Sequence, residues 1–192
     1  MDFITGLPKS GPQQHYTILV IVDSLTKMAH YIPMHESVTL EGTAHLSCDN
    51  IFRLQGLPDS LVSDRGTQFT TGFSSALSKL VGITQNLSTS FHPQTDGWTQ
   101  RVNAILEQYL RGNINYQQDA WTEILTIAEF AYNNTVSATT GITPFFALYG
   151  QHPQWIIKQN PATKTPTPAV LEEWGDQLDN LNTYQKSEMV HA

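Results

Sequence analysis

The chain has 192 residues, 40% of them apolar, which suits one packed domain with a further C-terminal segment. Its formal net charge is −7 with ten Lys and Arg in all, so the chain alone is a poor candidate for tight, salt-sensitive binding to duplex DNA, which needs clustered basic side chains. One cysteine, Cys48, excludes an internal disulfide framework, fits a reducing compartment and predicts a thiol packed in the core. With no apolar run near the roughly 18 residues of a membrane span and no signal-peptide pattern, the sequence predicts a soluble, intracellular protein with no membrane partner.

In chain order, "MDFIT" is an extended segment, and "GLPKSGPQQ" is a Gly/Pro loop. "HYTILVIVD" (15 to 23) is an apolar, β-branched run, and "KMAHYIPM" (27 to 34) is a second one after a polar break at Ser24 to Thr26, which together predict a hairpin. Thr39 can cap a helix whose apolar residues Leu40, Ala44, Cys48, Ile51 and Phe52 fall at helical spacing, ending at Gly56 ahead of Pro58. "SLVSD" (60 to 64) reads as a short buried strand with Asp64 at its carboxyl end, and "SDRGTQF" as a turn into a helix over 73 to 80 that Gly82 stops. "ITQNLSTS" (83 to 90) is extended.

Helices follow over 97 to 111 and 119 to 132. The first carries the core stripe Val102, Ile105, Leu106 and Tyr109, and the second is rich in apolar residues from Trp121 to Phe130. Strands preceding helices predict an α/β layer structure, a mixed sheet flanked by helices. The expected organisation is a core domain over 1 to 155, a Pro/Thr-rich linker over 156 to 170, and an acidic amphipathic helix over 171 to 192 with Leu171, Trp174, Leu178 and Leu181 on one stripe.

Three positions stand out chemically. Asp2 lies on the first strand, Asp64 at the end of a later one and Gln100 at the start of a helix, with 35 residues between Asp64 and Gln100. Three carboxylates so distributed are what a two-metal phosphoryl-transfer site needs, because hard oxygen ligands must bring two divalent ions to within about 4 Å of each other. Two of the three are acids here. Taken alone, Asp64 before Arg65 and Gly66 also reads as a turn or helix-cap residue.

The ordered motifs "MDFITGLP", "VDSLTKMAHYIP", "GLPDSLVSDRGTQF", "STSFHPQTDG", "RVN…LEQYLR", "AEFAYNN" and "PFFALYG" resemble the integrase catalytic core of Ty3/Gypsy-type LTR retrotransposons, within the retroviral integrase superfamily, over residues 1 to 155. The resemblance implies an RNase H-like fold with a five-stranded mixed sheet flanked by helices. It also implies a D,D-35-E site that binds Mg²⁺ or Mn²⁺. By position Asp2 and Asp64 are the metal ligands, and Asp2, Asp64 and Gln100 the catalytic set, while Asp23 is a decoy on the next strand.

Members of that family trim the 3′ end of the element's DNA and then join the new 3′-hydroxyl to a target phosphodiester. Where they read "DGQTERVN", this chain reads "DGWTQRVN", so an amide replaces the third carboxylate. Weak metal binding and a crippled or inactive enzyme follow, since an amide oxygen carries no charge. Glu107, about 10 Å further along the helix, is too far to substitute. Asp96 is nearer, on the loop, where water could link it to a metal.

Lys27, Arg65, His92, Gln94, Trp98 and Arg101 are the expected nucleic-acid contacts, with the loop 91 to 99 the flexible element that lies against the DNA end. Expected partners are DNA, with help from domains outside this chain, and a second copy in a homodimer. The expected location is the nucleus or a retrotransposon particle. The competing expectation is a non-catalytic descendant retained as a binding or assembly module.

Overall fold

The computed structural model describes residues 1–35, 39–63, 66–82, 88–89, 93–113 and 120–153. These fall into two compact units. One joins Met1–Val22 to His30–Thr122, and the other joins Asp23–Ala29 to the chain from Glu123 onward.

In the first unit, strands β1 (Asp2–Ile4), β2 (Thr17–Val22) and β3 (Ala29–Met34) form a sheet in the order β1-β2-β3. β1 runs antiparallel to β2, with Asp2 opposite Val20, Phe3 opposite Leu19 and Ile4 opposite Ile18. The central strand is β-branched and apolar, and its residues Thr17, Ile18, Leu19 and Val20 are all buried. Pro33 is tolerated in β3 because that strand is an outer one of this sheet, where a missing N–H leaves no ladder partner stranded.

Thr39 caps α1 (Leu40–Ser47) as expected, its Oγ1 accepting from the Gly42 N–H at 3.1 Å. The helix then widens into a π-helical turn, Cys48–Phe52, before the short α2 (Arg53–Gln55) ends at Gly56 with φ of 86°. Ala44 and Ile51 reach the core, and Cys48 packs against it half-buried, its thiol pushed up by burial and then by Asp49.

α3 (Gly66–Val81) starts well before the expected 73 and lies on α1. Gly72 permits that approach, because a Cβ there would meet Leu40 Cδ1 at 2.6 Å. The core of this unit gathers Leu19, Ile32 and Met34 of the sheet with Ala44, Ile51 and Phe73 of the helices.

β4 (Ser60–Leu61) and β5 (Ser88–Thr89) form a separate parallel pair, Ser60 beside Ser88. The described residues therefore hold a three-stranded sheet and a two-stranded pair where one five-stranded sheet was expected. α4 (Pro93–Asn113) also departs from expectation, since residues 93 to 99, read as a loop, have helical backbone. Pro93 at the first helical position has its φ already set and no N–H to lose, and the buried face formed by Val102, Leu106 and Leu110 extends the helix over its Gly97.

In the second unit the hairpin tip, Asp23–Ala29, is a tight turn that Asp23 organises, and α5 (Trp121–Asn133) contributes Glu123 onward. α6 (Pro144–Tyr149) has Thr143 as its cap, Pro144 in its first turn and Gly150 in the left-handed conformation after it. Its Phe145 ring lies 5.3 Å from that of Phe130 on α5. The expected linker (156 to 170) and acidic helix (171 to 192) lie outside the described residues, and no described helix is long and apolar enough to cross a membrane.

Candidate active site

Asp2 stands on β1 with its backbone in register with Val20, so the sheet fixes where its carboxylate begins. Oδ1 accepts from the Phe3 N–H at 2.7 Å, and Oδ2 accepts from the Nδ2 of Asn103 on α4. The second bond spans 101 residues of sequence and ties the helix to the strand.

Local sequence explains why α4 lies there, for Val102, Leu106, Tyr109 and Leu110 are all buried on one face, while Ile105, expected in the same stripe, is only half-buried. Asn103 is carried inward with that face and keeps 9% of its surface exposed. Among the described residues its Oδ1 is buried with no hydrogen-bond partner, a deficit of about 1–3 kcal/mol for a buried acceptor. Because a carboxylate only accepts, the amide must turn its NH₂ toward Asp2, which leaves the oxygen as the unsatisfied end.

Gln100 lies three residues before Asn103 on the same helix and is exposed. Residues three apart on a helix are neighbours, so α4 brings position 100 within one turn of the residue that holds Asp2. Arg101 is exposed on α4, and Gln94 and Trp98 fall on its opening turns. Glu107 faces Arg111 at 3.4 Å, an exposed i,i+4 ion pair, and so has a partner of its own.

Asp64, Arg65 and His92 lie outside the described residues. The chain that leads to Asp64 is nonetheless anchored near β1, since the Met1 amino group donates to the Val62 carbonyl at 2.6 Å.

Lys27 and Asp23 lie in the hairpin turn of the second unit. The Lys27 ammonium donates to the Ser24 carbonyl at 2.6 Å, and its backbone takes a φ of 65°. Asp23 Oδ2 accepts from the Thr26 N–H at 2.9 Å and from the Thr26 hydroxyl at 2.5 Å. Burial works against the charged Asp23 carboxylate, but the Thr26 and Leu25 donors and then the Lys27 charge outweigh it and hold its pKa below the ordinary 3.8. The decoy acid is engaged by its own turn.

Asn103 is the residue that sequence reasoning passed over. The signal was present in "RVN", since a polar residue one step past an apolar face position, three after Gln100, stands on the side of the helix that looks inward. Among the described residues no three His, Cys, Asp or Glu side chains converge.

Over 153 residues, 80% of its length, the chain is 30% identical to the Transposon Tf2-3 polyprotein of Schizosaccharomyces pombe, and equally so to the Tf2-4 polyprotein of the same organism. The chain is thus similar in sequence to polyproteins of Ty3/Gypsy-type retrotransposons. It spans 11% of the length of those polyproteins. No protein-family profile matches it.

Two solved structures place the chain among RNase H-like folds. One is a simian T-cell lymphotropic virus intasome in complex with PP2A regulatory subunit B56 gamma, with TM-score 0.55, 17% identity, and coverage of 86% of this chain and 59% of that one. The other is the HTLV-2 integrase catalytic core domain in complex with magnesium in its trimeric form, with TM-score 0.51, 18% identity, and coverage of 76% and 100%. At these identities the likeness establishes the mixed α/β, RNase H-like fold.

Proposed function

We propose that this integrase core is a polynucleotidyl transferase domain of a retrotransposon polyprotein, acting on the 3′ ends of the element's DNA and on target phosphodiesters, and that it is crippled as written by Gln100. The observation that carries the reading is the Asp2 carboxylate on β1, bonded by Asn103 of α4 one turn from Gln100.

The donor chemistry fits a hard divalent cation, Mg²⁺ or Mn²⁺. Asp2 offers carboxylate oxygens, the buried Asn103 oxygen lacks a partner, and neither sulfur nor imidazole is among them. Asp2 and Asp64 would hold the cation, weakly, because position 100 supplies no third charge. When bound, the cation supplies Lewis-acid stabilisation to the charge that develops on a phosphate under attack.

The chain's own residues do the rest. The Phe3 N–H and the Asn103 amide fix the rotamer of Asp2, and the Met1–Val62 bond keeps β1 beside the chain two residues short of Asp64. That bond also supports joining the two sheets into one of five strands, in the order β3-β2-β1-β4-β5.

Arg101, exposed on α4, contacts phosphate in this reading, with Lys27, Arg65, His92, Gln94 and Trp98. At net charge −7 these contacts need the basic surface of other parts of the polyprotein to hold DNA. A homodimer through the core, inside the nucleus or a retrotransposon particle, completes the proposal. The intasome and magnesium-bound neighbours support it. The neutral, exposed Gln100 favours one second reading, a non-catalytic assembly module.

Gln100→Glu decides between them. Under the enzyme reading, Mn²⁺-dependent strand transfer or disintegration of a branched oligonucleotide rises about a hundredfold or more, about 3 kcal/mol off the barrier. Adding Asp64→Asn abolishes the gain. An inert Gln100→Glu chain that folds, binds Mn²⁺ and forms dimers establishes the assembly module instead.

A further inference from the structure

We propose that Asn103 is itself an oxygen donor to the divalent cation of this site, its neutral carbonyl oxygen standing beside the Asp2 carboxylate; this rests on the reading of the Asp2 corner as a cation site. Asn103 is buried to within 9% of its surface, its Nδ2 donates to Asp2 Oδ2, and its Oδ1 has no partner among the described residues. A purely structural asparagine at such depth uses both ends. Asn133 in this same chain does so, its Oδ1 accepting from the Ala29 N–H at 2.9 Å and its Nδ2 donating to the Ala29 carbonyl at 2.8 Å.

Orphaned acceptors in native structures mark the place of an ion, a water or a catalytic group. An amide oxygen is a hard, neutral donor of the kind Mg²⁺ and Mn²⁺ accept beside carboxylates. Of the neighbouring amides at positions 100 and 103 of α4, Gln100 is exposed and Asn103 is the one in contact with Asp2. The arrangement gives Asn103 two jobs at once: the NH₂ orients the acid, and the oxygen completes the donor set.

The test is an NMR titration of the unmutated, ¹³C,¹⁵N-labelled chain with MgCl₂, followed at the Asn103 carboxamide and the Asp2 carboxyl, with Asn103→Ala used for assignment. The expected result is that both side chains shift along one saturation curve. Mn²⁺ titrated into Asn103→Ala and Asn103→Ser then binds about tenfold more weakly to the alanine variant, with the serine variant, which keeps an oxygen, in between.

If Asp2 responds to Mg²⁺ while the Asn103 carboxamide stays fixed at saturation, the donor role is overturned and the cation site stands. If neither responds and Asp2→Asn takes up Mn²⁺ as the parent does, the cation reading of the corner falls, and the Asn103 proposal with it. The NMR arm needs no variant to fold.

Discussion

Two acids and two asparagines in this chain are placed in opposite ways. Asp23 is closed off by its own turn, with Thr26 donating twice to one oxygen, and Asn133 is closed off by the backbone of Ala29, which takes both ends of its amide. Asp2 has one donor from its own strand and one from a helix 101 residues away, and the asparagine that supplies it keeps an unpaired oxygen. The first pair is engaged by its own turn and by one backbone unit, a structural solution. The second keeps acceptor capacity at the junction of a strand and a helix. An acid near the end of a strand is therefore informative only once its hydrogen bonds are traced.

The comparison breaks most sharply at Asp2. Asp2→Asn is expected to abolish the Mn²⁺-dependent rise in melting temperature, and any activity gained by Gln100→Glu, while the fold survives. The new amide can donate to Asn103 Oδ1 once that carboxamide turns over, which exchanges one unpaired end of Asn103 for the other and adds no further deficit. Thermal melts with and without MnCl₂ check this, and a cation response that persists would erase the distinction between the two corners.

Next in size is Asn133→Ala, which strips partners from the Ala29 N–H and carbonyl together and should cost about 3 kcal/mol in urea unfolding, with the Mn²⁺ response intact. Asp23→Ala, which removes the acceptor of the buried Thr26 donors, should cost about 1 kcal/mol, the scale of a lost helix cap. A loss of cation response there would make Asp23 more than a turn residue.

The smallest effect is in pH. The Asp23 pKa is depressed in the folded chain, so its contribution is present above the unfolded value of 3.8 and is lost as pH falls through the lower folded value. The difference in melting temperature between the parent and Asp23→Asn should therefore be constant near neutrality and shrink as pH drops below 3.8. A difference that grows on acidification would reverse the assigned direction.

Much of the scaffold was legible because its causes are local. The β-branched run of β2, the Thr39 cap, Gly56 and Gly82 with positive φ, and the stripe on α4 all act within a turn or a strand. The miss at α6 was avoidable, since Thr143, Pro144 and Gly150 are a complete set of start and stop signals around a short apolar run. The early start of α4 was harder to read. "HPQTDG" is a turn by composition, and its helical backbone is inherited from the packing of residues that follow.

The resemblance to Ty3/Gypsy-type integrase cores, carried by motifs in a fixed order, and the acids at positions 2 and 64 with an amide at position 100 were readable without a structure, because each is a matter of residue identity and spacing. That Asp2 is met by Asn103, whereas Asp23 meets Thr26 within its own turn, became visible only in the folded chain. A bond across three residues follows from the geometry of one turn. A bond across 101 residues exists only because the apolar face of α4 packs and carries a single polar side chain down to the strand beneath it.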